Sequence, residues 1–394
     1  MTTTNMSTTN MGTTNPMRVP FPRLPRLPLS LAGLWRSRFP AILVLFVLAA
    51  TASADQSQFV NAKLETLTVS QSLQNEVARI AAQSPQPAWI AYEVPAVPSN
   101  ESLCCGNYRG NGQEEVCPTC TLEKHQDNYS VVDRKNTTIQ LEAAPQLTVL
   151  LRVDQQRVMR IQIASSNCTM DAGGLRLVWL TGVKPEDSVG FLTAYVIRKD
   201  HPDDGDRLAE QSISAIAHHA APSADRVLAS FVAPDQPVWL RDKTSFWLGA
   251  ARGNSGLALL EKMAKDDPSP DVRAKVSFAF FVSHEPGAVD DIIRMAKDDS
   301  STHVRAQALF WLAQKAGQKA ASTITAAIQD DPDTEVKKKA VFALSQMPKD
   351  EGIPKLIQVA QSNKNPEIRK QAMFWLGQSQ DPRALAFFEK ILSE

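Results

Sequence analysis

Any chemistry in this chain has to come from its thiols and imidazoles. All five cysteines, Cys104, Cys105, Cys117, Cys120 and Cys168, fall in one central stretch. Cys117-Pro118-Thr119-Cys120 has C-x-x-C spacing, which presents two sulfurs to one ion. With Cys104 and Cys105, and His125 nearby, it has the ligand set of a zinc knuckle. In an oxidising compartment the same residues form disulfides instead. The loop Gly106-Asn107-Tyr108-Arg109-Gly110-Asn111-Gly112 is glycine-rich and cannot hold itself, so a covalent staple makes physical sense there. In that scheme the adjacent Cys104 and Cys105 take different partners, one in the C-x-x-C loop and the other Cys168, and an odd count leaves one thiol over. A redox role would want the C-x-x-C to open a helix after a strand, whereas here it sits in a loop. Disulfides are the favoured reading, with metal ligation by Cys104, Cys105, Cys117 and Cys120 and thiol redox chemistry as alternatives.

The histidines are His125, His201, His218, His219, His284 and His303. His218 and His219 close a helix, where an imidazole is ordinary, and His284-Glu285 is a lone pair in a turn. A di-iron hydroxylase needs several His-Glu pairs on facing helices, and none is spaced for that. The chain carries no Gly-x-Ser-x-Gly, phosphate loop or His-Glu-x-x-His. His201-Pro202-Asp203-Asp204-Gly205-Asp206 is acidic but lacks the ligand spacing and distal glutamate of a calcium loop, so it reads as a solvated linker. No catalytic residue, cofactor or metal site is assigned, and the chain reads as non-enzymatic.

Three segments position these residues. Residues 1–54 are a leader: Thr-Thr-Asn recurs at Thr3, Thr8 and Thr13, and Met17 is a second candidate start. Arg18, Arg23, Arg26, Arg36 and Arg38 then precede the apolar run Ala41–Ala50 and Ala52-Ser53-Ala54. Basic region, short apolar run and small-residue site make a secretory signal cut after Ala54, too short for a membrane span. That order predicts an exported protein, periplasmic or secreted, without stable membrane insertion once cut. Basic and acidic residues balance at 42 each, which gives no electrostatic case for nucleic acid.

Residues 55–199 read as a small α+β or mainly β domain. Ser70–Ala82 carries Leu73, Val77 and Ile80 on one helical face, and Ala88–Val94 is an apolar run bounded by prolines. Leu147–Val153, Val158–Ala164, Arg176–Leu180 and Val189–Val196 are further strand candidates. Asp154-Gln155-Gln156-Arg157 is a hairpin-length link.

Residues 200–394 repeat one pattern six times at a period of 32. An anchor position reads Leu208, Leu240, Val272, Val304, Val336 and Ile368, and the residue after it Arg241, Arg273, Arg305, Lys337 and Arg369, absent only from the first copy. Eight past the anchor stand Ile216, Leu248, Phe280, Leu312, Leu344 and Leu376, and twenty past it Leu228, Leu260, Ile292, Ile324, Leu356 and Phe388. Three further on come Phe231, Met263, Met295, Ala327, Val359 and Ile391. Each copy is a helical hairpin that cannot bury both apolar faces alone, so the copies must stack into an α-solenoid. Asp267-Pro268, Asp299-Ser300 and Asp331-Pro332 terminate one helix and cap the next.

The Asp-containing turn, the Val-Arg pair and the small-residue helix ending in Leu-Gly, as in Ile368–Gly377, resemble HEAT repeats. They are most similar to the short bacterial, phycobilisome-lyase-like variety of this armadillo-type fold. The resemblance implies a right-handed superhelix whose concave surface binds protein. It also implies that Asp235, Asp267, Asp299 and Asp331 meet basic residues of adjoining repeats in an interior ladder. Trp89 with its flanks, the Cys104-Cys105 pair and Asp171-Ala172-Gly173-Gly174 are similar to exported bacterial proteins of this kind, a likeness that implies no activity.

Phe246, Phe278, Phe310, Phe342 and Phe374 share the sixth position after the anchor, well off the buried stripe. They are either an exposed stripe that binds a protein partner or filling in the seam between first helices. The next position, Trp247, Ala279, Trp311, Ala343 and Trp375, alternates large and small and reads as core. Ile391 and Leu392 put apolar residues where a polar cap belongs, which opens self-association through the last repeat. The expected function is a protein-binding scaffold, with a metal or thiol module at residues 100–170 as the alternative.

Overall fold

The computed structural model describes residues 58–98, 103–104, 107–108, 114–115, 119–123, 145–197, 205–315 and 317–393. The leader with its cleavage site at Ala54, Cys105, Cys117, His125, His201 and the linker as far as Asp204 lie outside them. Every described residue belongs to one compact unit, Ser53–Glu394.

That unit begins with β1 (Gln58–Val60), β2 (Lys63–Thr68), α1 (Leu73–Ala82) and β3 (Ala88–Pro95). Short strands β4 (Asn107–Tyr108), β5 (Glu114–Glu115) and β6 (Cys120–Thr121) precede the long pair β7 (Gln146–Asp154) and β8 (Arg157–Ser165). Then come β9 (Thr169–Asp171), β10 (Arg176–Thr181) and α2 (Pro185–Val196). The main sheet runs β2-β10-β3-β7-β8, parallel among its first three strands and antiparallel from β3 onward. Gln155 and Gln156 join β7 to β8 with φ of 50° and 61°, the left-handed conformation a two-residue hairpin needs to match strand twist.

One expected strand is a helix. Val189–Val196 lies within α2, where Pro185 starts the first turn and Glu186 and Asp187 favour its positive end. Val189, Leu192 and Val196 are buried along one helical face, a spacing that outranks the apolar run as a strand signal.

Alternation across the sheet makes two cores. Ile90, Tyr92, Leu151 and Val178 face the core shared with α1, α2 and the helical array. Trp89, Ala91, Leu150, Leu177 and Trp179 face a second core with Cys104, Cys120, Cys168 and Met170. Strands in the order β1-β9-β6 form a small sheet that supplies Phe59, Met170 and Cys120 to that second core.

Six helical pairs follow: α3 (Gly205–His218) with α4 (Pro222–Phe231), α5 (Val238–Ala251) with α6 (Gly253–Asp266), and α7 (Pro270–Val282) with α8 (Ala288–Asp298). The others are α9 (Thr302–Lys315) with α10 (Gln318–Asp330), α11 (Thr334–Gln346) with α12 (Lys349–Ser362), and α13 (Pro366–Gln378) with α14 (Pro382–Ser393). The anchor row and the row eight residues on are buried in all six pairs. The two second-helix rows are buried through the first five pairs except at Ala327, which is half-buried; in the last pair Phe388 is half-buried and Ile391 exposed. A row sixteen past the anchor, Ala224, Gly256, Ala288, Ala320, Gly352 and Ala384, is uniformly small. The reason is close crossing of the two helices: a Cβ on Gly256 would run into the Leu248 carbonyl, and one on Gly352 into the Leu344 carbonyl.

The arginine after the anchor ties one inter-repeat turn to the next. Arg241 Nε donates to Asp267 Oδ2 at 2.8 Å, Arg273 to Asp299 at 2.8 Å and Arg305 to Asp331 at 2.8 Å, each with a second bond from Nη2. Nη1 of each reaches back to a carbonyl of the preceding turn: Gln236 for Arg241, Asp267 for Arg273 and Asp299 for Arg305. The aspartates also accept from the backbone N–H groups of Ser269, Ser301 and Asp333, fixing the turns themselves. Burial works against the Asp299 carboxylate, but Arg273 and the Ser301 N–H outweigh it and hold its pKa below the usual range. Asp235 is not in this ladder, a correction to the resemblance: it is exposed, because Ala209 stands where its arginine would be. The fifth station also lapses, since Lys337 donates instead to the Gln329 carbonyl and Asn363 replaces the aspartate.

The sheet joins the array through its first pair. Ile161 of β8 donates its N–H to Gln211 Oε1 of α3 at 2.9 Å. Beyond β3, Val97 N donates to the His218 carbonyl and Ala220 N to the Pro95 carbonyl, both at 2.9 Å.

Breaking a buried pair from one side strands a charge, so Arg305→Ala lowers unfolding free energy by about 3–5 kcal/mol. Lys337→Ala, at the same repeat position, costs less than about 1 kcal/mol. Urea titrations followed by circular dichroism check both, and equal losses would remove the ladder from the stability of the array.

Candidate functional site

The sulfurs of Cys104 and Cys168 are bonded to each other, with Cα atoms 5.4 Å apart, and Cys120 is also in a disulfide. Beside them Glu123 gathers two hydrogen-bonding side chains. Trp89 Nε1 donates to its Oε1 at 2.7 Å, and Arg152 donates to both oxygens at 2.7 and 3.0 Å. The Arg160 guanidinium lies 5.1 Å from the Trp89 ring. Burial raises the Glu123 pKa, yet Arg152, Trp89 and Arg160 bring it below the ordinary value. The turn Asp171–Gly174 closes against this cluster, with φ of 66° at Gly173 and 78° at Gly174. A carboxylate fixed by Arg152 and Trp89 is scaffolding for the second core. Among the described residues no three His, Cys, Asp or Glu side chains converge as a metal site.

His219 does more than end a helix. Its Nδ1 lies 2.7 Å from the Ala215 carbonyl, which can only accept, so the proton sits on Nδ1. Nε2 therefore accepts from Ser188 Oγ at 2.8 Å, and Ser188 in turn accepts from the Tyr92 hydroxyl at 2.8 Å. The order Tyr92, Ser188, His219 matches a base beside a nucleophile, but all three residues are fully buried and no substrate can reach them. The relay instead links β3, α2 and the end of α3, and Arg252 clamps the His219 carbonyl at 2.7 Å. Burial first, then His218 and Arg252 nearby, push the His219 pKa down to about 4. Of the other histidines, His303 stands 3.9 Å from Asp271.

The five repeat phenylalanines do join, in a way that unites both expectations. Phe246 stacks on Phe278 at 5.8 Å between centroids, and Phe310 on Phe342 at 6.1 Å. Trp311 sits 4.5 Å from Phe278 and 4.8 Å from Phe310, so it closes the gap between those stacks. Trp375 lies 5.0 Å from both Phe342 and Phe374. At the near end Trp247 meets Phe246 at 4.9 Å and His218 at 5.5 Å. The result is an unbroken aromatic band from α3 to α13 that fills the seam yet stays half-exposed, with Phe374 53% exposed.

The tryptophans expected in the core belong to this band and are half-buried. Phe281 joins it between Phe278 and Trp311, with Lys315 Nζ 5.2 Å from its ring centre. Because Phe281 occurs in one copy only, no repeat pattern flags it. Between α11 and α13 a cavity of about 330 Å³ opens on the band, lined by Glu335, Lys338, Lys339, Phe342, Gln371 and Trp375.

The HEAT-repeat family model matches three overlapping spans, 257–345, 289–362 and 321–394. Residues 257–394 are HEAT repeats. The HEAT match opens inside α6, and the pairs before it keep the same register without being matched. No curated protein matches the sequence. Among solved structures, human deoxyhypusine hydroxylase in complex with glycerol is 14% identical, covering 52% of this chain and 90% of that one, with a TM-score of 0.25. The complex of CpcE and CpcF of phycocyanin lyase from Nostoc sp. PCC7120 is 20% identical, covering 39% and 99%, with a TM-score of 0.31. YibA of E. coli is 20% identical, covering 51% and 75%, with a TM-score of 0.34.

A depressed histidine pKa means the unfolded chain binds the proton first, so stability is full above about pH 6.5 and falls as pH drops towards 4. The loss from His219 is about 3 kcal/mol, and denaturant titrations between those pH values show a shallower slope in His219→Gln. Trp375 Nε1 is buried without an acceptor. Trp375→Phe therefore keeps the ring contacts, removes an unsatisfied donor and leaves stability within about 1 kcal/mol of the parent, whereas Phe342→Ala costs about 2–4 kcal/mol.

Proposed function

We propose that this protein is an exported, non-enzymatic scaffold that holds a protein partner on the aromatic band of its HEAT array. The observation that carries the reading is the band itself: half-exposed aromatic rings run without a gap across the first helices. Soluble proteins rarely leave a contiguous apolar stripe uncovered unless something docks there. Aromatic residues also supply large contact area at small entropic cost. The buried Arg241, Arg273 and Arg305, the Tyr92–Ser188–His219 relay and the Arg252 clamp are each explained by packing.

Export is supported by the leader and by cysteines held in disulfides, the state favoured in an oxidising compartment. The same bonds weigh against a zinc or thiol module, since the sulfurs of Cys104 and Cys120 are already spent. No helix among the described residues is long and apolar enough to cross a membrane.

Two measurements test this reading. A photo-crosslinking residue at Lys275, beside the band, yields a discrete adduct in the native host, while one at the exposed Lys297 of α8 does not. Equal labelling at both sites, or adducts from Lys297 alone, would remove the band from the interface. N-terminal sequencing of the mature protein returns Asp55; a chain that keeps its leader in the cytoplasm refutes export.

A further inference from the structure

The charges along the band identify the chemistry of its occupant, an inference that rests on the scaffold reading above. Three residues before the repeat phenylalanine stand Lys243, Lys275, Gln307, Lys339 and Gln371. Residues three apart on a helix are neighbours on its surface, and Lys339 and Phe342 indeed line one cavity with Gln371 and Trp375. A row of lysine and glutamine therefore runs beside the row of rings. Lys243 is paired with Glu210 at 2.6 Å, but the exposed Lys275 and Lys339 have no ion-pair partner among the described residues. On the row one turn earlier, Glu335 is taken by Lys338 at 3.0 Å, and Asp271 lies 3.9 Å from His303. Lys315 adds a further cation at the band's other edge, over the Phe281 ring. Between α7 and α11 the uncommitted lysines beside the rings, Lys275, Lys315 and Lys339, outnumber the one uncommitted carboxylate, Asp271, whose neighbour His303 carries charge only when protonated, so the net charge there is positive.

Spacing narrows the partner further. Neighbouring helices pack about 8–10 Å apart, which places Lys275 and Lys339, two repeats distant, about 16–20 Å apart. A polyproline II segment turns once every three residues with a rise of about 3.1 Å each, so six residues span about 19 Å and return to the same side. A β-strand also returns to the same side after six residues, but its facing positions recur about every 6.6 Å, whereas those of polyproline II recur about every 9.3 Å, one per repeat of an array that steps about 8–10 Å. We propose that the band binds an extended, polyproline II-like segment of a partner protein. Two carboxylates six residues apart meet Lys275 and Lys339, and the prolines between them lie on Phe278, Trp311, Phe310 and Phe342. Aromatic-lined surfaces are suited to that helix because it arrives already ordered.

The test uses the full mature chain and a fluorescent proline dodecamer with glutamates six residues apart, against versions carrying glutamine or lysine in their place. Anisotropy titration at low salt gives binding of the glutamate peptide that weakens as salt rises, and weaker binding of both controls. Lys275→Gln with Lys339→Gln lowers affinity about tenfold, as two exposed charge pairs allow, with circular dichroism unchanged. Equal binding of glutamate and glutamine peptides, or no loss in the double lysine variant, would overturn the proposal. So would self-association of the chain that Phe278→Ala abolishes, which assigns the face to a second copy. If the photo-adduct at position 275, where the lysine is already replaced, survives the added Lys339→Gln change, the partner's chemistry is wrong while the scaffold reading stands; if no adduct forms anywhere, the scaffold reading itself falls.

Discussion

The array depends on a single kind of joint, in which one guanidinium joins two consecutive turns. Arg273 takes the carbonyl of Asp267 on one side and the carboxylate of Asp299 on the other. A guanidinium suits this work because its fork addresses a planar carboxylate with two donors and leaves a third for the backbone. The carboxylate in turn holds the Ser301 N–H that starts the next helix. Stacking of apolar faces supplies most of the free energy of such an array, but it does not set the step from one hairpin to the next. At the three stations where it is paired, the arginine adds a directional constraint on that step.

Where the array meets the sheet, a neutral relay replaces the ion pair. Tyr92 donates to Ser188, Ser188 to His219 and His219 to the Ala215 carbonyl, so each side-chain polar atom of this relay has a partner. Strand end and helix end also exchange backbone bonds there. The aromatic band begins one residue away, at His218 against Trp247. The candidate binding surface is thus rigidly referred to the sheet at one end.

The period of 32 made the hairpins legible, since six copies at one spacing leave little choice of what is buried. The short apolar run Val189–Val196 suits a strand or a buried helix equally, and the deciding signal, Pro185 with two acids after it, lies just upstream. The large-small alternation at Trp247, Ala279, Trp311, Ala343 and Trp375 is a packing rhythm, but its tryptophans pack between rings at the half-exposed seam rather than in the core. His219 carries no pattern of its own: only the fold brings Tyr92 and Ser188, distant in sequence, to its ring. The small row from Ala224 to Ala384 was visible at the same period, and reading every position of the repeat for size would have located the helix crossings.

The ladder's lapse at Lys337 and Asn363 gives the array uneven compliance. Elements joined in series carry the same tension, and strain collects in the softest of them. Under tension along the array the joint between the turns at 331 and 363, like the one before Asp235 that lacks its arginine, gives way before those tied by Arg241, Arg273 and Arg305.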